Sequence, residues 1–267
     1  MDNDSLWLGR LQAPVKYAAI VCSVVTALIY IFLVINKIFD ADAIGMFEMI
    51  RPQGRPLVAV MLGSITLTML FSSLYLSDFK GAIESKPDGF FDILSLITSR
   101  ISMIAIAVIV LVMFYEVVAR YIFSAPTLWA NEMSLWVASF VFLLAGQYAM
   151  QQRSHIRIYV IYDMMPRWGQ KTSDVISTAL ILFFAFSLVW GGYTDAETRF
   201  MRMETFGTYW DPPIPGIIKP AILFIISLVA VQAVSNLISD WHKAPEHLAH
   251  DDIDEIEIEN IKKTLEQ

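Results

Sequence analysis

The chain has 267 residues, of which 56% are hydrophobic and 17% are charged, whereas soluble domains usually carry about 25% charged residues. A water-soluble fold cannot hide this much apolar surface, so the composition excludes an ordinary soluble domain and indicates an integral membrane protein. The net charge of −7 comes largely from the acidic stretch 251–259, and the rest of the chain has no basic stripe that would indicate a nucleic-acid partner.

Six apolar segments are long enough to cross a bilayer as helices, which takes roughly 20 residues each. They are residues 15–35, 57–76, 101–122, 133–150, 175–193 and 217–238. Strands of a membrane barrel would be about half as long and would alternate in polarity. The predicted fold is therefore an all-α polytopic membrane protein.

The first apolar run is expected to stay in the protein as a membrane helix. Its leader, residues 1–9, contains Asp2 and Asp4 but no Lys or Arg, whereas the leader of a secretory signal peptide is positively charged. The run is also longer than the apolar region of a typical signal peptide, and a full second span follows it.

The connections between the spans predict the orientation. If both termini are cytoplasmic, the larger share of the 19 Lys and Arg residues lies on the cytoplasmic side, in agreement with the positive-inside rule. The bias is strongest after the fourth span, where four basic side chains cluster: Arg153, Arg157, Arg167 and Lys171. The segment 151–173 also spaces its apolar residues like a helix that lies along the inner membrane surface.

Changes in polarity divide the chain into four parts. Residues 1–78 form an N-terminal extension with two spans, residues 79–94 form a polar linker, and residues 95–241 form a core of four spans. Residues 242–267 form an acidic cytoplasmic tail, for which a short amphipathic helix and a disordered segment both remain open.

The central parts of the spans contain few side chains that could take part in catalysis or ion binding. Spans one, two, four and five have no charged residue in their central parts, although a proton relay or an ion cage would need such residues there. The four His residues all lie outside the spans, so paired haem ligands within the membrane are missing. The sequence therefore predicts no catalytic residue, no metal site and no cofactor in this chain.

Polar residues collect instead at the membrane edges. At the outer edge, Glu116 and Arg120 share one helix face at four-residue spacing, and Trp129 and Glu132 begin the next span. Two interpretations stay open for these four side chains. They are interfacial anchors and local ion pairs, or they converge across the short turn 123–131 and fix how spans three and four pack or meet another subunit.

Two further groups lie towards the inner edge. Gln232 and Asn236 share one side of the sixth span, where amide side chains usually hydrogen-bond a neighbouring helix. Arg153, His155 and Arg157 follow the fourth span. They form either a contact with lipid phosphate or a partner's carboxylate, or a plain positive-inside cluster.

Four motifs of the core follow one another in an order that is typical of one family. The stretch 116–132 ends one helix with Arg-Tyr-x-Phe and opens the next with Trp-x-x-Glu. Gly146 and the basic segment QQRSHIR at 151–157 come next, and WDPPIPGIIK at 210–219 precedes the last span. Together they resemble the small membrane subunit, DctQ type, of tripartite ATP-independent periplasmic (TRAP) transporters. The resemblance covers residues 95–241.

The resemblance implies a small scaffold subunit without a catalytic centre, in the inner membrane of a bacterium. Such a subunit packs among membrane lipids against a large permease (DctM type) that carries the substrate and sodium sites. A periplasmic binding protein (DctP type) delivers an organic acid to this pair. The outer loop 195–215, whose prolines stiffen an extended path, then suits docking of the binding protein through Arg199, Arg202 and Trp210.

Two features depart from the family pattern, and two other functions stay open. Tyr159 stands where the family often has an acidic residue, and the extension 1–78 exceeds the minimal four-helix subunit. The first alternative is a membrane anchor of a quinone-linked oxidoreductase, against which the placement of the His residues counts. The second is a stand-alone carrier, against which the scarcity of charge within the spans counts.

Overall fold

The structure is a computed structural model, and it describes residues 5–40, 42–79, 81, 84, 87, 89–153, 162 and 164–241. These residues form helices and connections without a strand, and six of the helices are long and apolar enough to cross a membrane. The prediction of an all-α protein with six spans is therefore confirmed. A bilayer favours this outcome because a helix satisfies its own backbone hydrogen bonds, which lipid cannot do.

The α-helices of the described part are labelled in chain order. They are α1 (Gln12–Phe39), α2 (Met46–Met49), α3 (Pro56–Ser77), α4 (Phe90–Tyr121), α5 (Ala130–Gln151), α6 (Arg167–Met201) and α7 (Ile214–Asp240). α2 is a single turn in the connection between α1 and α3, and the other six are the spans. The membrane edge at which α1, α4 and α6 begin is called the inner edge, and the opposite one the outer edge, after the predicted orientation.

Hydropathy located each span but understated the longest helices. α4 begins at Phe90 rather than at residue 101, and α6 runs from Arg167 to Met201 rather than from 175 to 193. The added turns are polar or amphipathic, so a hydropathy window misses them. Residues 167–173, predicted to lie along the inner membrane surface, instead begin α6.

Two predicted segments fall largely outside the described residues. The remainder of the predicted surface helix rests mainly on residues 154–161, and the acidic tail is residues 242–267. At the other membrane edge, the outer loop predicted to start at residue 195 starts only after Met201, where α6 ends.

The spanning helices pack as an open series. α1 packs against α3, α3 against α4, α4 against α5, α5 against α7, and α7 against α6; α7 also contacts the start of α4. α6 follows α5 along the chain, but α7 lies between the two helices in space. Among the described helices the series does not close into a bundle, so side chains on both faces of the series are open to lipid or to a partner.

The start of the chain is fastened to the end of α3 at the inner edge. Asp78 is fully buried just after α3, and its Oδ1 accepts hydrogen bonds from the backbone N–H groups of Trp7 and Leu8, both at 2.9 Å. The hydroxyl of Ser5 donates to the same oxygen at 3.0 Å. These hydrogen bonds join the start of the chain to the end of α3, and α1 and α3 pack side by side as an antiparallel pair.

Candidate functional site

The outer ends of α4 and α5 are joined by Glu116, which is 4% exposed. Its Oε1 accepts hydrogen bonds from Arg120 Nε at 2.9 Å and Nη2 at 2.5 Å. Its Oε2 accepts from the backbone N–H of Thr127 at 2.9 Å and from the Thr127 hydroxyl. Thr127 Oγ1 in turn accepts from the backbone N–H of Ala130 at 3.4 Å. One buried carboxylate therefore closes the turn between the two helices.

Trp129 and Glu132 lie beside this turn but take different partners. Trp129 stacks with Tyr115 of α4, with ring centroids 6.0 Å apart and an interplanar angle of 26°. Glu132 Oε2 accepts a 2.6 Å hydrogen bond from the hydroxyl of Thr208 in the loop before α7. Trp129 thus belongs with the α4–α5 turn, whereas Glu132 connects α5 to the outer loop. A role of either residue in contact with another subunit stays a prediction.

Trp210 is the centre of a second contact at the outer edge. Its side chain is 2% exposed, and its Nε1 donates to the carbonyl of Met46 in α2 at 2.8 Å. Its own carbonyl accepts from Arg51 at 3.4 Å, and its ring packs edge-on against Trp136 of α5. The indole is therefore buried where the outer loop meets the N-terminal extension, and the docking role of Trp210 stays a prediction.

Arg199 and Arg202, the other residues predicted for docking, differ in their surroundings. Arg199 donates to Asp195 at 2.8 Å and to Glu204 at 2.5 Å. Lys219 of α7 donates to the second oxygen of Asp195 at 2.7 Å. This network closes the bend between α6 and α7. Arg202 is exposed on the outer surface next to it.

A buried ion pair that the sequence did not indicate lies at the inner edge. Glu84, in the connection before α4, and Arg100 of α4 are 8% and 7% exposed. The guanidinium Nη1 and Nη2 donate to the two carboxylate oxygens at 2.8 and 2.6 Å. Tyr148 of α5 donates to the same carboxylate at 2.8 Å, and the backbone N–H of Gly81 donates at 2.7 Å. Glu84 of the predicted polar linker therefore contacts the inner ends of both α4 and α5.

Arg100 also ties the end of α3 to this cluster. Its Nε donates to the carbonyl of Leu76 at 3.3 Å, and its Nη2 donates to the carbonyl of Phe79 at 2.9 Å. Burial alone would raise the pKa of Glu84, but the hydrogen bonds from Arg100 and its neighbours outweigh burial and lower the pKa from 4.5 to about 2. The carboxylate therefore stays charged at neutral pH and holds three helices together.

Gln232 and Asn236 of α7 form a polar row with groups on neighbouring helices. Gln232 is 1% exposed, and its Nε2 donates to Oδ1 of Asp92 at the start of α4 at 2.7 Å. The same nitrogen donates to Oδ1 of Asn236 at 2.9 Å, and Asn236 Nδ2 donates to the carbonyl of Met150 at the end of α5 at 2.7 Å. These two amides fasten α7 to α4 and α5 within the chain itself.

Of the three basic residues predicted to contact lipid or a partner, Arg153 lies within the described residues, whereas His155 and Arg157 lie outside them. Arg153 donates from Nε and Nη2 to the two carboxylate oxygens of Asp240 at 2.5 and 2.8 Å. Arg167 adds a 3.3 Å hydrogen bond to the carbonyl of Asp240. The inner ends of α5 and α7 and the start of α6 therefore meet at Asp240.

Two clefts open on the inner half of the α6–α7 pair. One, of about 560 Å³, is lined mainly by apolar side chains, including Phe91 of α4. The other, of about 350 Å³, lies between the ends of α5 and α7 and the start of α6, and charged side chains stand at its mouth. Among the described residues, no group of three or more His, Cys, Asp or Glu side chains is placed to hold a metal ion. The polar contacts described above join helices and connections of this chain to one another.

The residues that sequence reasoning missed share one property. Asp78, Glu84, Asp92 and Arg100 are charged side chains in or beside the ends of apolar helices. Charged groups so close to hydrocarbon need partners, and this rule predicts that each of them contacts another polar or charged group. It would not have named the partners, because these come from distant parts of the chain.

Comparison with known proteins finds a match over the core. Residues 109–243 match the family described as tripartite ATP-independent periplasmic transporters, DctQ component, which is just over half of the 267 residues. No curated protein matches the chain. The matched part contains residues 109–121 of α4 and all of α5, α6 and α7.

Proposed function

Since this chain belongs to the DctQ family of tripartite ATP-independent periplasmic transporters, we propose that it is the small scaffold subunit that supports a large permease in the bacterial inner membrane. In this proposal the permease carries the substrate and sodium sites and takes up an organic acid. A periplasmic binding protein delivers that acid, and both termini of the small subunit are cytoplasmic.

The distribution of charge along the spans carries the proposal of a scaffold. In the described residues of α4 and α5, charged side chains stand at the helix ends: Asp92 and Arg100 at the inner edge, and Glu116, Arg120 and Glu132 at the outer edge. A carrier needs ionisable or ion-binding groups near the middle of the membrane. The central turns of these helices offer apolar side chains, which suit packing against lipid and another membrane protein.

The open faces of the helix series supply the surface that a large partner would cover. On α6, Phe183 and Trp190 are 70% and 79% exposed, and on α4, Leu111 and Phe114 are both 67% exposed. Lipid satisfies such side chains as well as protein does, so exposure by itself does not choose between them. Family membership supports a protein partner on part of this surface.

The binding protein would dock on a platform at the outer surface, which consists of the loop before α7 together with α2 and the start of α5. Trp210 and Glu132 hold the loop before α7 against α2 and α5. On this platform Arg202 is exposed, and the ring of Tyr209 is 66% exposed while it packs edge-on against Phe47 of α2. The N-terminal extension would therefore take part in docking, with Arg202 in place of the buried Trp210.

The test is isolation of the complex from membranes in mild detergent. We expect the tagged chain to recover a large multi-span permease. Liposomes that contain both proteins, with the binding protein added, should take up an organic acid along a sodium gradient. Sodium-dependent uptake by this chain alone would instead support a stand-alone carrier. A haem band in the visible spectrum of the purified chain would support an oxidoreductase anchor.

A matched pair of variants tests the outer turn as a contact with the permease. Trp129→Ala removes an aromatic side chain from the α4–α5 turn, and we expect it to lower recovery of the permease while the chain still inserts. Tyr30→Ala removes one from α1, where Tyr30 is 57% exposed outside the family match, and recovery should stay unchanged. Equal recovery with both variants would remove Trp129 from the proposed interface.

A further inference from the structure

The cleft at the inner ends of α5, α6 and α7 has a charged mouth and an apolar floor. Three basic side chains, Arg153, Arg167 and Lys171, line it together with two carboxylates, Asp174 and Asp240. The lining therefore carries one more positive than negative charge. Its mouth lies at the inner edge of the membrane, because α6 begins and α7 ends there.

The charged groups at the mouth are fixed in place by contacts within the chain. Arg153 adopts a left-handed backbone conformation with φ 55°, which costs free energy in a residue other than Gly, and its side chain donates two hydrogen bonds to Asp240. The Lys171 ammonium stands 4.8 Å above the ring of Trp241. Tyr162 donates to Asp174 at 2.8 Å. These contacts fix the charged groups around the mouth, and their net positive charge favours a negatively charged ligand.

The start of α6 adds to the positive potential of the mouth. α6 is 35 residues long and begins at Arg167, after the extended Pro166. The unpaired N–H groups and the dipole at a helix N-terminus favour an anion. Arg167 and Lys171 lie four residues apart in the first two turns of α6, so they face the same side of the helix.

The floor of the cleft runs from this mouth into the apolar part of the membrane. α6 contributes Thr178 and Ile181, and α7 contributes Ala233 and Leu237. From residue 171 to residue 181 an α-helix rises by about 15 Å, which is about half the thickness of the hydrocarbon core. A ligand in this cleft would therefore have a charged end at the membrane edge and an apolar end beside the helices.

We propose that this cleft binds an anionic glycerophospholipid of the inner leaflet. Its phosphate lies at the mouth near Lys171, Arg167 and Arg153, and the upper part of one acyl chain lies between α6 and α7. The volume of about 350 Å³ is at the small end for ligand sites, so the rest of the lipid stays in the bilayer. The lipid would cross-link the two helices at the end of the series, where α6 packs against α7.

The test measures lipid binding to the purified full chain by native mass spectrometry. The delipidated chain in mild detergent is titrated with dioleoylphosphatidylglycerol, and in parallel with dioleoylphosphatidylcholine, which has the same chains and no net charge. We expect one phosphatidylglycerol per chain to bind at least fivefold more tightly than phosphatidylcholine. Equal binding of the two lipids would overturn the proposal, as would full competition by millimolar inorganic phosphate, which would indicate a site for a soluble anion.

Three variants separate the cleft from the general charge of the inner edge. Lys171→Gln should weaken binding of phosphatidylglycerol about fivefold, the value of one basic side chain near an anionic lipid surface, and Lys171→Arg should restore it. Lys16→Gln is the matched control, because Lys16 is exposed near the inner end of α1, away from the cleft. Equal effects of Lys171→Gln and Lys16→Gln would overturn the proposal.

A fourth variant tests the apolar floor without a change of charge. Ser177 is exposed and lines the cleft, so Ser177→Trp should fill it while the helix remains intact. We expect this variant to bind phosphatidylglycerol no more tightly than phosphatidylcholine and to keep its circular dichroism spectrum. Binding as tight as in the wild type would show that the acyl chain does not lie between α6 and α7.

Discussion

At the scale of single residues, three buried carboxylates hold helix ends together by different means. Asp78 accepts two backbone N–H groups and a hydroxyl with one oxygen. Glu84 binds a buried guanidinium with both oxygens. Glu116 closes a turn through Thr127, while the side chain of Arg120 stays 52% exposed. Carboxylates beside lipid need such partners because hydrocarbon does not solvate charge.

Replacing Glu84 by Gln should remove part of the pH dependence of folding. Because the pKa of Glu84 is lowered from 4.5 to about 2, its carboxylate stabilises the folded chain fully above the unfolded value of 4.5 and loses this contribution as the pH falls towards 2. We expect Glu84→Gln to melt several degrees below the wild type at neutral pH. The difference should shrink as the pH falls through that range in thermal melts in detergent.

The control for this measurement is an exposed carboxylate on another helix. Glu197 of α6 is exposed, so Glu197→Gln should follow the pH dependence of the wild type. A gap between Glu84→Gln and the wild type that stays constant over the whole pH range would show that the carboxylate acts through packing rather than through its charge.

At the scale of elements, α7 is the helix that joins the parts of the core. It packs between α5 and α6, and its two amides reach α4 and α5. Hydrogen bonds between helices in a membrane are individually modest, at about 1 kcal/mol. The amides of α7 are nevertheless placed where three helix ends meet, so their loss affects three contacts together.

Replacing Gln232 by Leu should lower the free energy of unfolding by about 1–2 kcal/mol, since it removes two hydrogen bonds between buried polar groups. Reversible unfolding in mixed micelles measures this change. Ser227→Ala is the control on the same helix, because the Ser227 hydroxyl donates only to the carbonyl of Leu223 one turn earlier. Equal stability of the two variants would mean that the row beginning at Asp92 adds nothing to helix packing.

Replacing Trp210 by Ala should release the outer connection of the N-terminal extension. The indole donates to the carbonyl of Met46 at 2.8 Å and is 2% exposed, so its loss removes a hydrogen bond and the packing around it. We expect amide hydrogen exchange in residues 45–51 to accelerate by about tenfold or more. Phe206→Ala, at a ring that is 46% exposed in the same loop, should leave this exchange rate unchanged.

The sequence allowed the spans to be predicted because hydropathy is a local property. The fastenings between them are not local: Tyr148 is 64 positions from Glu84, and Trp7 is 71 positions from Asp78. Which helix lies beside which cannot be read from one sequence. Trp210 was assigned to the surface on the strength of its neighbouring prolines, although an indole N–H can also find a carbonyl inside the protein.

At the scale of the whole molecule, the N-terminal extension and the core are one assembly. α3 packs along α4, Arg100 binds carbonyls at the end of α3, and Trp210 binds α2. The contacts lie at both membrane edges as well as along the spans. The predicted division at residue 78 therefore separates parts that hold each other in place.

Deleting residues 1–78 should lower stability more than it lowers assembly. The truncated chain loses the α3 surface against α4 and the carbonyl of Leu76 that Arg100 binds, so we expect a lower melting temperature in detergent. The family match starts at residue 109, so the truncated chain should still recover the permease. Loss of the permease from a truncated chain that remains helical and monodisperse would place the contact on the extension.

The open series of helices also bears on how such a protein changes size. A closed bundle admits a new helix only by rearranging its interior, whereas a series with two ends accepts one from the side. A helical hairpin such as α1–α3 can be gained or lost at the end beside α4 through changes at the α3–α4 boundary and at the contact of α2 with the outer loop. The family match begins within α4 at residue 109, so the α1–α3 hairpin lies entirely outside the matched part.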